Sequence, residues 1–86
     1  MDRITEKQVD LFFRFGGDPD GLARIGTPEE KAAMPSATWF AIVELAQWIA
    51  QSKAGLLDAK GEKVLASLLR ERCDDENCAQ ELMALA

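Results

Sequence analysis

The sequence predicts an all-α fold, a compact bundle of four to five helices around a central apolar helix at about residues 37–52. This segment holds one charged residue, Glu44, among its sixteen, and its apolar side chains fill a wide arc when each residue advances by 100°. No part of the chain shows the alternation or the β-branched enrichment that is typical of a strand. With 86 residues, the chain is expected to form one helical domain, residues 1–86, around a single core.

The first helix is predicted to begin after Thr5. Thr5 and Gln8 have the spacing of a capping box, and Ile4 stands where it can pack on Val9 as a hydrophobic staple. Gly16 and Gly17 are predicted to end this helix.

Residues 18–35 contain two sets of turn and cap residues, which predict one or two short helical pieces that Pro35 stops. Ser36 is then predicted to cap the central helix. Gly55 is predicted to end the central helix in a left-handed conformation, with Leu56 folded back onto the last turn.

Two further helices are predicted, one at about residues 59–72 that Asp58 caps and a shorter one at about residues 76–84. The expected core stripe of the first comprises Gly61, Val64, Leu65, Leu68 and Leu69. The expected stripe of the second comprises Cys78, Leu82 and Leu85.

The composition disfavours catalysis and cofactor binding. The chain has no His and no Tyr, so it lacks the commonest general base and the commonest metal ligand. It also has no P-loop, no dinucleotide fingerprint and no Gly-x-Ser-x-Gly motif. Its formal net charge of −5 disfavours contacts with phosphate and favours a basic protein partner.

The sequence predicts a cytoplasmic protein without a membrane partner. Residues 1–6 have no apolar run of the kind that a secretory signal requires, and the central helix is shorter than the ~20 apolar residues of a bilayer span. In the cytosol, Cys73 and Cys78 are expected to be reduced, and buried inert thiols are favoured over a redox switch. A structural zinc site needs four nitrogen or sulfur ligands, whereas the chain offers two thiols and no imidazole.

Three acidic residues match part of the spacing of a calcium-binding loop. Asp18, Asp20 and Glu29 fall at the first, third and twelfth places of an EF-hand loop. Leu22 and Ala23 occupy the fifth and sixth places, where that loop needs an oxygen ligand and a glycine. Ordinary turn and cap residues are therefore favoured, and no metal site is predicted.

The best lead to a function lies on the polar side of the central helix. Phe40 projects into the stripe that contains Glu44 and Gln47, and Trp48 lies at its edge. Coverage of the two aromatic rings by the first or last helix is favoured over their exposure as anchors for a partner. We expect a small acidic, non-catalytic protein–protein interaction module, an adaptor, inhibitor or regulator of a basic partner, with these four residues as its contacts. Self-association through Phe40 and Trp48 is an alternative.

Acidic side chains elsewhere in the chain are expected to steer a basic partner toward the protein. The expected acidic surface comprises Asp18, Asp20, Glu29, Glu30, Asp74, Asp75 and Glu76.

A second hypothesis, from a different functional class, is a helix-turn-helix-like regulator that binds DNA. Lys60, Lys63 and Arg70 share one side of the helix at residues 59–72, as a phosphate-binding face would require. Glu62 and Glu71 flank these bases, and no Asn or Gln stands among them to read adenine. A solvated face is therefore favoured over nucleic-acid binding.

Overall fold

The computed structural model describes residues 3–86, and it contains six helices in that range. The helices are α1 (Glu6–Arg14), α2 (Pro19–Ile25), α3 (Pro28–Ala33), α4 (Ser36–Lys53), α5 (Ala59–Arg72) and α6 (Glu76–Leu85). The all-α prediction is confirmed, and both short pieces form separate helices, which brings the number to six. Residues 1–2, on which the expectation about a secretory signal partly rests, lie outside the described range.

The predicted boundaries of α1 are confirmed. The Thr5 hydroxyl accepts a hydrogen bond from the backbone amide of Gln8 at 3.2 Å, and the Gln8 side chain accepts one from the amide of Thr5 at 3.0 Å. Ile4 and Val9 are both completely buried, as a hydrophobic staple requires. Residues 16–17 have φ of 61° and 73°, a conformation that glycine adopts without strain.

The start of α4 differs from the prediction. Pro35 occupies the cap position with φ −59° and ψ 151°, and Ser36 is the first helical residue. No side chain accepts a hydrogen bond from the first turn, so the prediction that Ser36 caps the helix is wrong. Proline already fixes the extended backbone that a cap residue would adopt, which places Ser36 one position too late to act as the cap.

The end of α4 agrees with the prediction in its backbone but not in its side chain. Gly55 has φ 72°, and the amide of Leu56 donates to the carbonyl of Gln51 at 3.0 Å. The Leu56 side chain is nevertheless 74% exposed, so the prediction that it folds back on the helix is wrong. The following residue, Leu57, packs against the core instead.

The core lies along one side of α4, which contacts α1, α5 and α6. Ile42, Leu45 and Ile49 are at most 1% exposed, and the Trp39 ring packs on that of Phe12 with 4.7 Å between the centroids. No helix within residues 3–86 has the length and apolar content of a membrane span.

Helix α5 runs antiparallel to α4. The Ser52 hydroxyl at the end of α4 donates to the Glu62 carboxylate near the start of α5, at 2.8 Å. The Arg72 guanidinium at the end of α5 donates to the Glu44 carboxylate of α4, also at 2.8 Å. The two helices thereby bury the stripe of α5 that contains Leu65 and Leu69.

Two residues of the predicted core stripes are exposed. Val64 of α5 and Leu85 of α6 were expected in the core, and both predictions are wrong. Val64 lies beside the Leu65 stripe, outside the arc that α4 covers, and Leu85 lies in the final turn of α6, beyond the buried Leu82.

The N-terminal segment is fixed to the connection between α5 and α6. The amide of Ile4 donates to the carbonyl of Arg72 and its carbonyl accepts from the amide of Asp74, both at 2.7 Å, which makes an isolated parallel bridge between Ile4 and Cys73. The thiol of Cys78 also donates to the Ile4 carbonyl, at 3.3 Å. These contacts hold the N-terminal segment against the first turn of α6.

Candidate functional site

The solvent-facing side of α4, which we name the α4 outer face, comprises Phe40, Glu44, Gln47 and Trp48. The buried residues of α4 recur at helical spacing and turn the opposite side of the helix toward solvent. Phe40 is 68% exposed, Glu44 and Gln47 are exposed, and Trp48 is half-buried against the core. The four predicted contact residues therefore share one surface. Because Phe40 is mostly exposed, the favoured prediction that the first or last helix covers it is wrong, whereas Trp48 is half-buried.

The charge on the α4 outer face is neutralised within the chain. A carboxylate oxygen of Glu44 lies 2.8 Å from the guanidinium of Arg72, with both side chains partly in solvent. An exposed pair of this kind contributes little to stability, but it leaves the face without a free net charge. A partner of this face would therefore contact an aromatic ring beside an ion pair that has no net charge.

Several of the predicted acidic residues cap helices. Asp18 accepts from the amide of Asp20 at 3.0 Å, and Asp75 accepts from the amide of Cys78 at 2.8 Å. Glu30 accepts from the amide of Thr27 at 2.9 Å, and this hydrogen bond is the main reason that the pKa of Glu30 is lowered. The residues 19–25 that follow Asp18 form a helix rather than an open calcium loop, which supports the cap interpretation.

The acidic residues also lie beside basic ones. Glu29 and Glu30 line a cleft of about 300 Å³ together with Lys7 and Arg14, and Glu30 forms an ion pair with Arg14. A second cleft, of about 490 Å³, carries both signs of charge. Its charged lining residues are Asp74, Asp75, Glu76, Arg3 and Arg70. The predicted acidic surface therefore includes two groups of carboxylates, each next to two cations.

The three basic residues of the DNA hypothesis are all exposed on α5. Lys60 and Lys63 lie in its first half, and Arg70 lies in its last turn beside the three acids of the second cleft. A phosphate backbone that reached Arg70 would therefore meet three carboxylates.

Both thiols are buried and free, as the sequence analysis favoured. Burial, followed by the effect of the neighbouring Cys73, raises the pKa of Cys78 to about 12. Burial also raises the pKa of Cys73. Because the thiolate is the nucleophile and the metal ligand, protonated thiols are poor at both roles. Within residues 3–86, no cluster of three His, Cys, Asp or Glu side chains is placed to hold a metal ion.

One pair of carboxyl groups was not anticipated from the sequence. Glu81 on α6 lies within hydrogen-bonding reach of Asp10 on α1, and its Oε2 atom is buried. This contact raises the pKa of Glu81 to about 7, with burial and the charges of Asp10 and Glu6 acting in the same direction. The only signal in the sequence is that Glu81 directly precedes Leu82, a core position of α6.

Comparisons with protein-family models, with curated proteins and with solved structures found no match for this chain. The feature of this chain that points to a function is Phe40, which is exposed on the central helix of the fold.

Proposed function

We propose that the protein is a small non-catalytic interaction module that binds another protein through the α4 outer face. The observation that supports this proposal is the 68% exposure of Phe40. An aromatic side chain offers a large apolar area with few rotatable bonds, and such residues often dominate the energy of protein interfaces. The half-buried Val43 and Trp48 extend the apolar area around it on a preformed helix.

The chemistry of the partner follows from charge. With a net charge of −5, the protein attracts a basic partner over long range, which raises the association rate. Short-range binding energy would come from Phe40, because Glu44 is already paired with Arg72. The protein would then act as an adaptor, inhibitor or regulator of that partner.

The DNA hypothesis has weaker support. Lys60 and Lys63 are exposed, but Glu62 lies between them on the same helix, and Arg70 shares its cleft with Asp74, Asp75 and Glu76. Affinity for phosphate grows with the number of neutralised charges, and this face presents few that are free of neighbouring acids.

Affinity capture with a matched pair of variants tests the proposal. Phe40→Ser removes the exposed ring, and Leu56→Ser removes an equally exposed apolar side chain that lies beyond the end of α4. We expect the wild type and Leu56→Ser to retain the same protein at low and high salt. Phe40→Ser should bind that protein at least about tenfold more weakly, the equivalent of about 1.4 kcal/mol.

Three other outcomes would contradict the proposal. Equal retention by Phe40→Ser and the wild type would exclude Phe40 as the anchor. Nucleic acid that is captured at low salt, released at high salt and lost in Lys63→Glu would favour the DNA hypothesis. A dimer mass in sedimentation that becomes a monomer mass in Phe40→Ser would identify a second copy of the chain as the partner.

A further inference from the structure

Helices α1 and α6 pack closely against each other in the described structure. Their contact includes the carboxyl group of Glu81, which is partly buried. Glu81 lies between Cys78 and Leu82, which are both completely buried. Its Oε2 atom is also buried and has no hydrogen-bond partner within residues 3–86. An ionised carboxylate there would lose hydration without gaining a donor, whereas a neutral carboxyl group can donate its own proton to Asp10.

Within residues 3–86, the charged groups that act on Glu81 include no cation. The charged groups of α1 that act on it are Asp10 and Glu6, both acidic. The two cations of α1, Lys7 and Arg14, line a cleft with Asp10 and are not among the groups that act on Glu81. On α4, the ammonium of Lys53 donates instead to the carbonyl of Ala86, at 2.8 Å. On α5, Arg72 pairs with Glu44, and Arg70 lies in the cleft beside Asp74, Asp75 and Glu76.

We propose that Asp10 and Glu81 share one proton, which closes the contact between α1 and α6, and that loss of this proton loosens α6. With the proton present, the pair makes one charge-assisted hydrogen bond. Without it, two carboxylates face each other with Glu6 nearby, and like charges at short range repel. The fold thereby contains a pH-sensitive contact that is independent of Phe40.

The direction of the pH dependence follows from linkage. The pKa of Glu81 in the folded chain, about 7, lies above its ordinary value of 4.5. Between these values the folded state binds more protons than the unfolded state, so the free energy of unfolding falls as the pH rises. The chain has no His, and both thiols titrate only in more alkaline solution, so Glu81 should dominate this window.

A carboxyl-carbon NMR titration of the full chain tests the shared proton directly. We expect Glu81 to titrate near pH 7 in the wild type and more than one pH unit lower in Asp10→Asn, whose amide can donate to the Glu81 carboxylate. Glu76→Gln, a change at the exposed start of α6, should leave the Glu81 titration unchanged. A wild-type midpoint near pH 4.5, or the same midpoint in Asp10→Asn, would overturn the proposal.

Urea denaturation at a series of pH values tests the consequence for α6. We expect the urea concentration at which half of the wild type is unfolded to decrease as the pH is raised from 5 to 7.5. The midpoint of Glu81→Gln should stay nearly constant, because glutamine keeps a donor toward Asp10 at every pH. Amide exchange in α6, corrected for its intrinsic pH dependence, should become faster at pH 8 in the wild type only. Parallel curves for the two proteins would overturn the proposal.

Discussion

The two sides of α4 differ in burial. Ile42, Leu45 and Ile49, on the side that faces the other helices, are at most 1% exposed, whereas Phe40 on the opposite side is 68% exposed. Both sides carry large apolar residues, so hydrophobicity alone does not distinguish the residues that stabilise the fold from those that are free to bind. Packing makes the distinction, because only the buried side chains lose contacts when they are truncated. The comparison therefore predicts that the two faces respond differently to the same kind of mutation.

The largest expected difference is between Leu45→Ala and Phe40→Ala. Leu45→Ala leaves a cavity in the core and should lower the free energy of unfolding by about 2–5 kcal/mol. Phe40→Ala removes a ring that is mostly in solvent and should change it by no more than about 0.5 kcal/mol. Urea denaturation of both variants gives the two values. A comparable loss for Phe40→Ala would show that Phe40 stabilises the fold, and the α4 outer face would no longer be a free surface.

The first turn of α4 has no side-chain cap, whereas that of α1 has one. If the buried face holds the helix, its missing side-chain cap should not matter, so Ser36→Ala should change the free energy of unfolding by less than about 0.5 kcal/mol. The matched variant Thr5→Ala removes the cap of α1 and should cost about 1 kcal/mol. Thermal denaturation of the two variants at one pH separates these values. An equal loss of unfolding free energy in both variants would contradict this prediction and would show that the Ser36 hydroxyl stabilises the first turn of α4.

The parts of the fold that were predicted correctly are those that local chemistry determines. The capping box of Thr5 and Gln8, the cap at Asp58 and the left-handed Gly55 each depend on residues close together in the sequence. Helical geometry also places Phe40 among polar residues, but it does not determine whether a neighbouring helix covers the ring.

The features that were missed depend on which helix covers which surface. Val64 and Leu85 are exposed because a helical pattern gives the direction of each side chain but not the width of the arc that neighbouring helices cover. The bridge at Ile4 is one pair of backbone hydrogen bonds, too short to produce the alternation of a strand. The contact of Asp10 with Glu81 forms only when the first and last helices meet.

The smallest expected effect concerns the one ion pair on the α4 outer face. Glu44→Ala and Arg72→Ala should each cost less than about 1 kcal/mol, because both groups are partly in solvent and the pair is screened by salt. The backbone contact of Arg72 with Ile4 does not involve the side chain, so the truncation leaves it in place. A double-mutant cycle in urea should therefore give a coupling energy of about 0.5 kcal/mol or less that shrinks further at high salt. A coupling energy several times larger and insensitive to salt would contradict this prediction. It would show that the ion pair stabilises the outer face of α4 about as strongly as packing stabilises the inner face, so the two faces would no longer differ in this respect.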